Sequence, residues 1–269
     1  MLNRRQTISL LALGSSAAAP ALVPSALHAQ DANAAPTQQQ QQQPQSDGSA
    51  QPIPPFSRAA LGDEVPPGWT HQRLPKVERA NLFSIVEDGA RRVLQVQSAQ
   101  SSSSWVHRLD LDAGQRPWLH WQWKVSRALA GSDLRSKDGD DFAARLYVFF
   151  DLPPERLSLG DRLKLAAARA LSGSELPAAA LCYAWGHAQP VGASGPNPYT
   201  DRVHMVILDS QDAQAGRWRS HARDLRRDWA EAFGGTMPRV GGVAVGADTD
   251  NTGSAVTTWF GDLRLETQA

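Results

Sequence analysis

Cysteine is almost missing from this chain of 269 residues: Cys182 is the single one, so no intramolecular disulfide can form. Set in an apolar segment, Cys182 reads as a small core residue. Long apolar runs are missing as well. Past the first 29 residues none approaches the ~18 that a membrane span needs, so no span is expected once that leader is removed. Charge of one sign is also lacking, with 27 Lys and Arg against 27 Asp and Glu. Loss of Arg4 and Arg5 with the leader would leave 25 against 27, too balanced for bulk attraction to nucleic acid. There is no Gly-x-Ser-x-Gly elbow, His-Glu-x-x-His, phosphate loop or dinucleotide fingerprint, and the seven histidines lack ligand spacing. Stability must come from an apolar core, to which nine tryptophans can contribute.

The leader itself is informative. Arg4 and Arg5 form a positive start, a weakly apolar stretch follows, Pro24 breaks it, and Leu27-His28-Ala29 offers a cleavage site. The paired arginines, between Asn3 and Gln6-Thr7-Ile8, resemble a twin-arginine export signal; an ordinary secretory leader is the alternative. Either way a periplasmic or secreted bacterial protein is expected. Residues 30–55 are a low-complexity tether with glutamines at 38–43 and Pro44, Pro52, Pro54 and Pro55. They offer too little apolar surface to offset the entropy of ordering.

From Phe56 to Ala269 strand patterns dominate, and about eleven are expected. They run over Gly68–Leu74, Asn81–Val86, Arg92–Gln97, Ser104–Leu109, Trp118–Ser126, Phe142–Asp151, Ala179–Trp185, Arg202–Leu208, Arg217–Arg223, Val240–Ala247 and Ala255–Leu265. No regular crossover helix joins consecutive strands, which points to an all-β antiparallel β-sandwich rather than an α/β fold. Two short peripheral helices are expected. Arg162–Leu171 stops at Ser172-Gly173; a second, capped by Asp224, places Leu225, Trp229, Ala232 and Phe233 on one face and ends at Gly234-Gly235. The segment between Trp185 and Asp201, with Gly192, Gly195, Pro196 and Pro198, reads as a loop and a candidate rim of a binding site.

Two acidic stretches end strand-like segments: Asp138-Gly139-Asp140-Asp141 and Asp248-Thr249-Asp250-Asn251-Thr252. Crowded carboxylates need a cation, a basic partner or hydrogen bonds. Asp138, Asp140, Asp248, Asp250 and Asn251 could therefore hold Ca2+ in a sandwich-type site, although the full EF-hand pattern is absent. Turn-capping by aspartate is the commoner use of such residues. Strand alternation puts Phe142, Ala144, Leu146, Val148 and Phe150 inside and Asp141, Arg145, Tyr147 and Phe149 on the other face. In the tryptophan strand Leu119, Trp121, Trp123 and Val125 should be inside, leaving His120, Gln122 and Lys124 outside.

If those two strands are neighbours, Asp141, Arg145, Tyr147, His120 and Lys124 share a polar surface, with Tyr183 and Trp185 as further ligand-binding candidates. The plainer reading is a solvated sheet face. Asp141 and Arg145 stand ~13 Å apart along a strand and so need other partners; Asp248 or Asp250 could supply Arg145 with one. Arg217, Arg219, His221 and Arg223 alternate on one face, either as a polyanion stripe or as a charged edge strand.

Taken in order, Trp121-Gln122-Trp123, the run Asp140 to Phe149, Tyr183-Ala184-Trp185, Asp248 to Thr252 and Phe260-Gly261-Asp262 resemble the bacterial exported family numbered 3047 among the domains of unknown function. The resemblance spans about Trp69 to Leu265. It implies export and a jelly-roll-like sandwich of the carbohydrate-binding kind, and it brings no catalytic residue. Binding of an envelope glycan or acidic polysaccharide without catalysis is the expectation that follows. The alternatives are a carbohydrate-active enzyme and a structural envelope protein that binds another protein. A lyase would use Tyr147 or His120 as base near Arg145 or Lys124; a hydrolase would use Asp141 with Asp250.

Overall fold

The structure, a computed structural model, describes residues 52–74, 77–153, 155 and 178–269. The export leader, residues 30–51 of the tether and the helix expected at Arg162–Leu171 lie outside them. Thirteen strands are described: β1 (Trp69–Arg73), β2 (Leu82–Asp88), β3 (Arg91–Ala99), β4 (Ser102–Leu111), β5 (Trp118–Val125), β6 (Ala144–Asp151), β7 (Ala179–Gly186), β8 (Ser194–Asn197), β9 (Thr200–Ser210), β10 (Arg219–Asp224), β11 (Arg239–Asp248), β12 (Ala255–Phe260) and β13 (Arg264–Glu266). They form a seven-stranded sheet, β1-β4-β11-β6-β7-β9-β8, and a six-stranded one, β10-β5-β12-β3-β2 with β13 beside β5. The chain passes repeatedly from one sheet to the other, as jelly-roll sandwiches do. The expected all-β, largely antiparallel sandwich is what the chain forms.

Each expected strand is present, and the departures have local causes. The last expected strand divides into β12 and β13, with Gly261 between them donating its amide to the Gln122 carbonyl at 2.8 Å. The breaker-rich loop contains β8, which tolerates Pro196 because it lies at the sheet edge against β9. β7 and β9 run parallel, the exception to antiparallel pairing among the described strands, because β8 takes the antiparallel place beside β9. One α-helix is described, α1 (Leu225–Phe233); Asp224 accepts from the Arg226 amide at 3.0 Å and Gly234 ends the helix, as its sequence predicts.

The two sheets bury different faces. In β5 burial alternates with period two: Leu119, Trp121, Trp123 and Val125 are inside and the residues between them are half-buried. β6 and β7 are buried on both faces. Between the layers lies the main core, with Trp121, Trp123, Leu146, Val148, Phe150, Tyr183, Trp185 and Phe260. A second apolar cluster covers the other side of the seven-stranded sheet and contains Phe142, Tyr147, Phe149, Cys182, Met205 and Ile207. Cys182 is a buried free thiol, pushed up to about 12 by burial, so it stays protonated and inert. At the chain's entry, Ile53 and Phe56 are buried, while the Pro52 and Pro54 carbonyls accept from His107 and Trp69. The described body thus includes the last prolines of residues 30–55.

Candidate functional site

The expected common surface does not form, because β5 and β6 belong to different sheets. His120, Gln122 and Lys124 lie on the outer face of the six-stranded sheet, whereas Asp141, Arg145 and Tyr147 are buried at the seven-stranded sheet. Tyr183 and Trp185 are fully buried between the layers. The Tyr183 hydroxyl donates to Asp228 at 2.6 Å and the Trp185 indole to the Gln211 carbonyl at 3.1 Å. These side chains hold the two layers together and expose nothing to a ligand.

The acidic stretches do converge. β6 begins at Ala144, so residues 140–143 bend away from the strand and Asp140 turns back onto Arg145. Arg145 donates to the Asp140 carbonyl at 2.5 Å, to its carboxylate at 3.0 Å and to the Tyr147 hydroxyl at 2.8 Å, and lies 3.4 Å from Asp248. Asn197, from β8, reaches Asp140 at 3.0 and 3.1 Å. Burial pushes the Asp140 carboxyl upward, partly offset by Arg145 and Asn197. Burial raises Asp248 well above the ordinary carboxylate range, against the pull of Arg145.

Asp141 turns the other way and caps the turn after β11. Its oxygens accept from the Asn251 amide at 3.2 Å and from the Thr252 amide and hydroxyl, both at 2.6 Å. Asp141 is fully buried and its hydrogen bonds go to the turn, so it does not lie on the open sugar-facing surface expected of it. Of the expected metal ligands, Asp138 is exposed and Asp140 is committed to Arg145 and Asn197. Asn251 donates its side-chain amide to the Asp140 carbonyl at 3.3 Å. The oxygens that do meet are those of Asp141, Asp248 and Asp250, all within 4.8 Å of one another. A buried polar seam of Asn81, Ser98, Ser101, Ser103 and Thr249 supports this end of β11; Asn81 donates to the Ser103 and Ala247 carbonyls at 2.8 and 2.7 Å.

The arginine stripe also turns inward. Arg219 and His221 meet Asp209 of β9 at 2.9 and 2.7 Å, and Arg223 pairs with Asp228 of α1. β10 is an edge strand as expected, but its cations are neutralised across the sandwich. Burial would raise Asp209; hydrogen bonds from His221 and Trp123 outweigh it and hold the carboxyl below its ordinary value.

What stays accessible is the outer face of the six-stranded sheet. Trp218 donates to Asp88 at 2.5 Å although β10 and β2 are its opposite edges, which in a flat sheet would stand ~19 Å apart. The sheet therefore curls toward this side. Lys124 lies between two rings, 5.1 Å from Trp218 and 4.5 Å from Trp259, and pairs with Asp88 at 2.8 Å. Arg91 stacks 4.1 Å above Trp218 and donates to Gln122. Beside this band lies a hollow of about 330 Å³ that takes in Arg91, Arg92, His120, Gln122, Asp262 and Arg264. Among the described residues three arginines thus line it against one aspartate. Sequence alternation found His120 and Lys124; the band of Asp88, Arg91, Trp218 and Trp259 comes from three separate stretches of chain and was missed.

Residues 67–264 match a family model described as a protein of unknown function, DUF3047. No curated protein matches the sequence. Among solved structures, the family 30 carbohydrate-binding module of the cellulosomal cellulase Cel9D-Cel44B of Clostridium thermocellum is similar over 80% of this chain and 96% of its own, at 12% identity and TM-score 0.37. Endoglucanase 3 of Trichoderma harzianum, from family GH12, is similar over 76% and 92%, at 9% identity and TM-score 0.40. The xyloglucanase domain of NopAA, a type three effector from Sinorhizobium fredii, is similar over 79% and 100%, at 11% identity and TM-score 0.39. Identities this low give no residue to carry across.

Proposed function

The chain belongs to the DUF3047 family of proteins of unknown function, and we propose that it binds an acidic polysaccharide on the outer face of its six-stranded sheet. The observation that carries this reading is the curled face itself, where three arginines and one aspartate line a 330 Å³ hollow beside two tryptophans. Arginine's planar fork suits carboxylate groups, which it can hold bidentately. Gln122, His120 and Ser220 supply donors and acceptors for hydroxyls. The indole rings of Trp218 and Trp259 hold Arg91 and Lys124 over their faces and so fix these cations beside the hollow. The reading is one of binding without catalysis: among the described residues Asp262 is the carboxylate that lines the hollow, whereas the usual glycosidase arrangement uses two.

Calorimetric titration with oligogalacturonate, oligoalginate and a neutral cello-oligosaccharide tests the reading. Acidic oligomers should bind, more weakly as salt rises, and Arg91→Ala with Arg264→Ala should weaken them at least about tenfold. Equal binding of the neutral oligomer, or no binding of any, would overturn it; unsaturated products from the acidic oligomers would identify a lyase instead. Export to the periplasm through the Arg4-Arg5 leader is part of the proposal. Fractionation of cells expressing the Arg4→Lys, Arg5→Lys chain should then find it retained in the cytoplasm.

A further inference from the structure

We propose that the entry to β6 and the turn after β11 form a binding site for a calcium-class divalent cation, with Asp141, Asp248 and Asp250 as carboxylate ligands. Each offers an oxygen, and the three oxygens lie within 4.8 Å of one another. Two oxygens on opposite sides of one Ca2+ stand about 5 Å apart, so the spacing suits a shared ion with little rearrangement. The second observation is an orphaned acceptor. Asp248 is 3% exposed; one of its oxygens lies 3.4 Å from Arg145, and the other, Oδ1, is sealed from solvent with no hydrogen-bond partner. A buried carboxylate oxygen left without a donor is costly, and a cation among these three side chains would satisfy it.

Charge points the same way. Asp140, Asp141, Asp248 and Asp250 bring four carboxylates together, and Arg145 answers one of those charges. The hydrogen bonds from Asn251 and Thr252 to Asp141 tie the turn to the β6 entry, so two of the ligand-bearing segments are held together before any ion arrives. Asp250 is half-buried and gives the site an edge open to solvent. An all-oxygen donor set favours calcium over zinc or copper, which prefer nitrogen and sulfur. This inference is independent of the glycan-binding reading, and its readout needs no sugar.

The test is calorimetric titration of the full chain with Ca2+ alone, paired with melting curves in calcium and in chelator. Saturable binding and a higher Tm in calcium are expected. Asp250→Asn, at the solvent edge, should keep the chelator Tm and lose most of the calcium-dependent rise; Asp248→Asn should lose calcium binding as well. Absence of binding at millimolar Ca2+ in the unaltered chain would overturn the proposal. So would an undiminished rise in Asp250→Asn, which would place the ion elsewhere.

Discussion

Two charged clusters occupy this sandwich, and they differ in what closes over them. Around Arg145 the seven-stranded sheet is buried on both faces, so its charges meet one another: Asp140 at 3.0 Å and Asp248 at 3.4 Å. Around Arg91 one face of the six-stranded sheet stays open, and Arg91 rests against Trp218 and lines a hollow with Arg92 and Arg264. Burial turns charge into an internal brace, because an unpaired ion there is expensive. Exposure leaves charge free to meet a ligand, because water screens it and little stability depends on it. Clusters that look equally polar in sequence therefore take opposite roles.

The contrast can be broken most forcefully at Arg145. Arg145→Met removes the guanidinium and strands Asp140 and Asp248 in the interior, so urea denaturation should show a loss of about 3–5 kcal/mol. Arg91→Ala, exposed on the open face, should cost no more than about 1 kcal/mol. A comparable loss from the two would erase the distinction. The next largest effect concerns Gly246, paired with Arg145 across β11 and β6. A Cβ there would meet the Ser103 carbonyl at 2.6 Å and the Ser104 hydroxyl at 2.8 Å, both in the adjoining strand, so Gly246→Ala should destabilise by about 1–3 kcal/mol.

Trp218→Ala sharpens the comparison from the other side. It should weaken binding of acidic oligosaccharide about tenfold in the calorimeter while shifting Tm little. The smallest effect is a slope. Asp209 is held below its ordinary value of 3.8 by His221 and Trp123, against burial, so the folded state gives up its proton more readily than the unfolded chain. Its contribution is present above pH 3.8 and fades as pH falls through the lower folded value. Asp209→Asn should flatten that part of the stability curve in denaturation at a series of acidic pH values.

Much of the fold was legible, since period-two patterning or continuous apolar runs marked the long strands and Asp224 announced α1. The error about β6 was also readable in its residues. Ala144 to Phe150 and Ala179 to Trp185 are nearly continuous apolar runs, the pattern of strands buried on both faces rather than one. Assigning a wet face to Arg145 followed a rule that suits β5 and fails for β6. Of the site, alternation supplied His120 and Lys124, whereas Asp88 and Trp218 meet because the sheet curls, a tertiary property that no local pattern encodes. The split of the two aspartate clusters, with Asp140 turned to Arg145 and Asp141 to the Thr252 turn, depends on where β6 begins. A two-residue difference in strand start decided it.

Amide hydrogen exchange of the full chain, with and without oligogalacturonate, tests the central contrast most directly. Added ligand should protect residues 91–95, 118–124, 218–222 and 259–264, on the open face of the six-stranded sheet, and leave 140–148 and 245–252 unchanged. Protection confined to the latter two segments would contradict it.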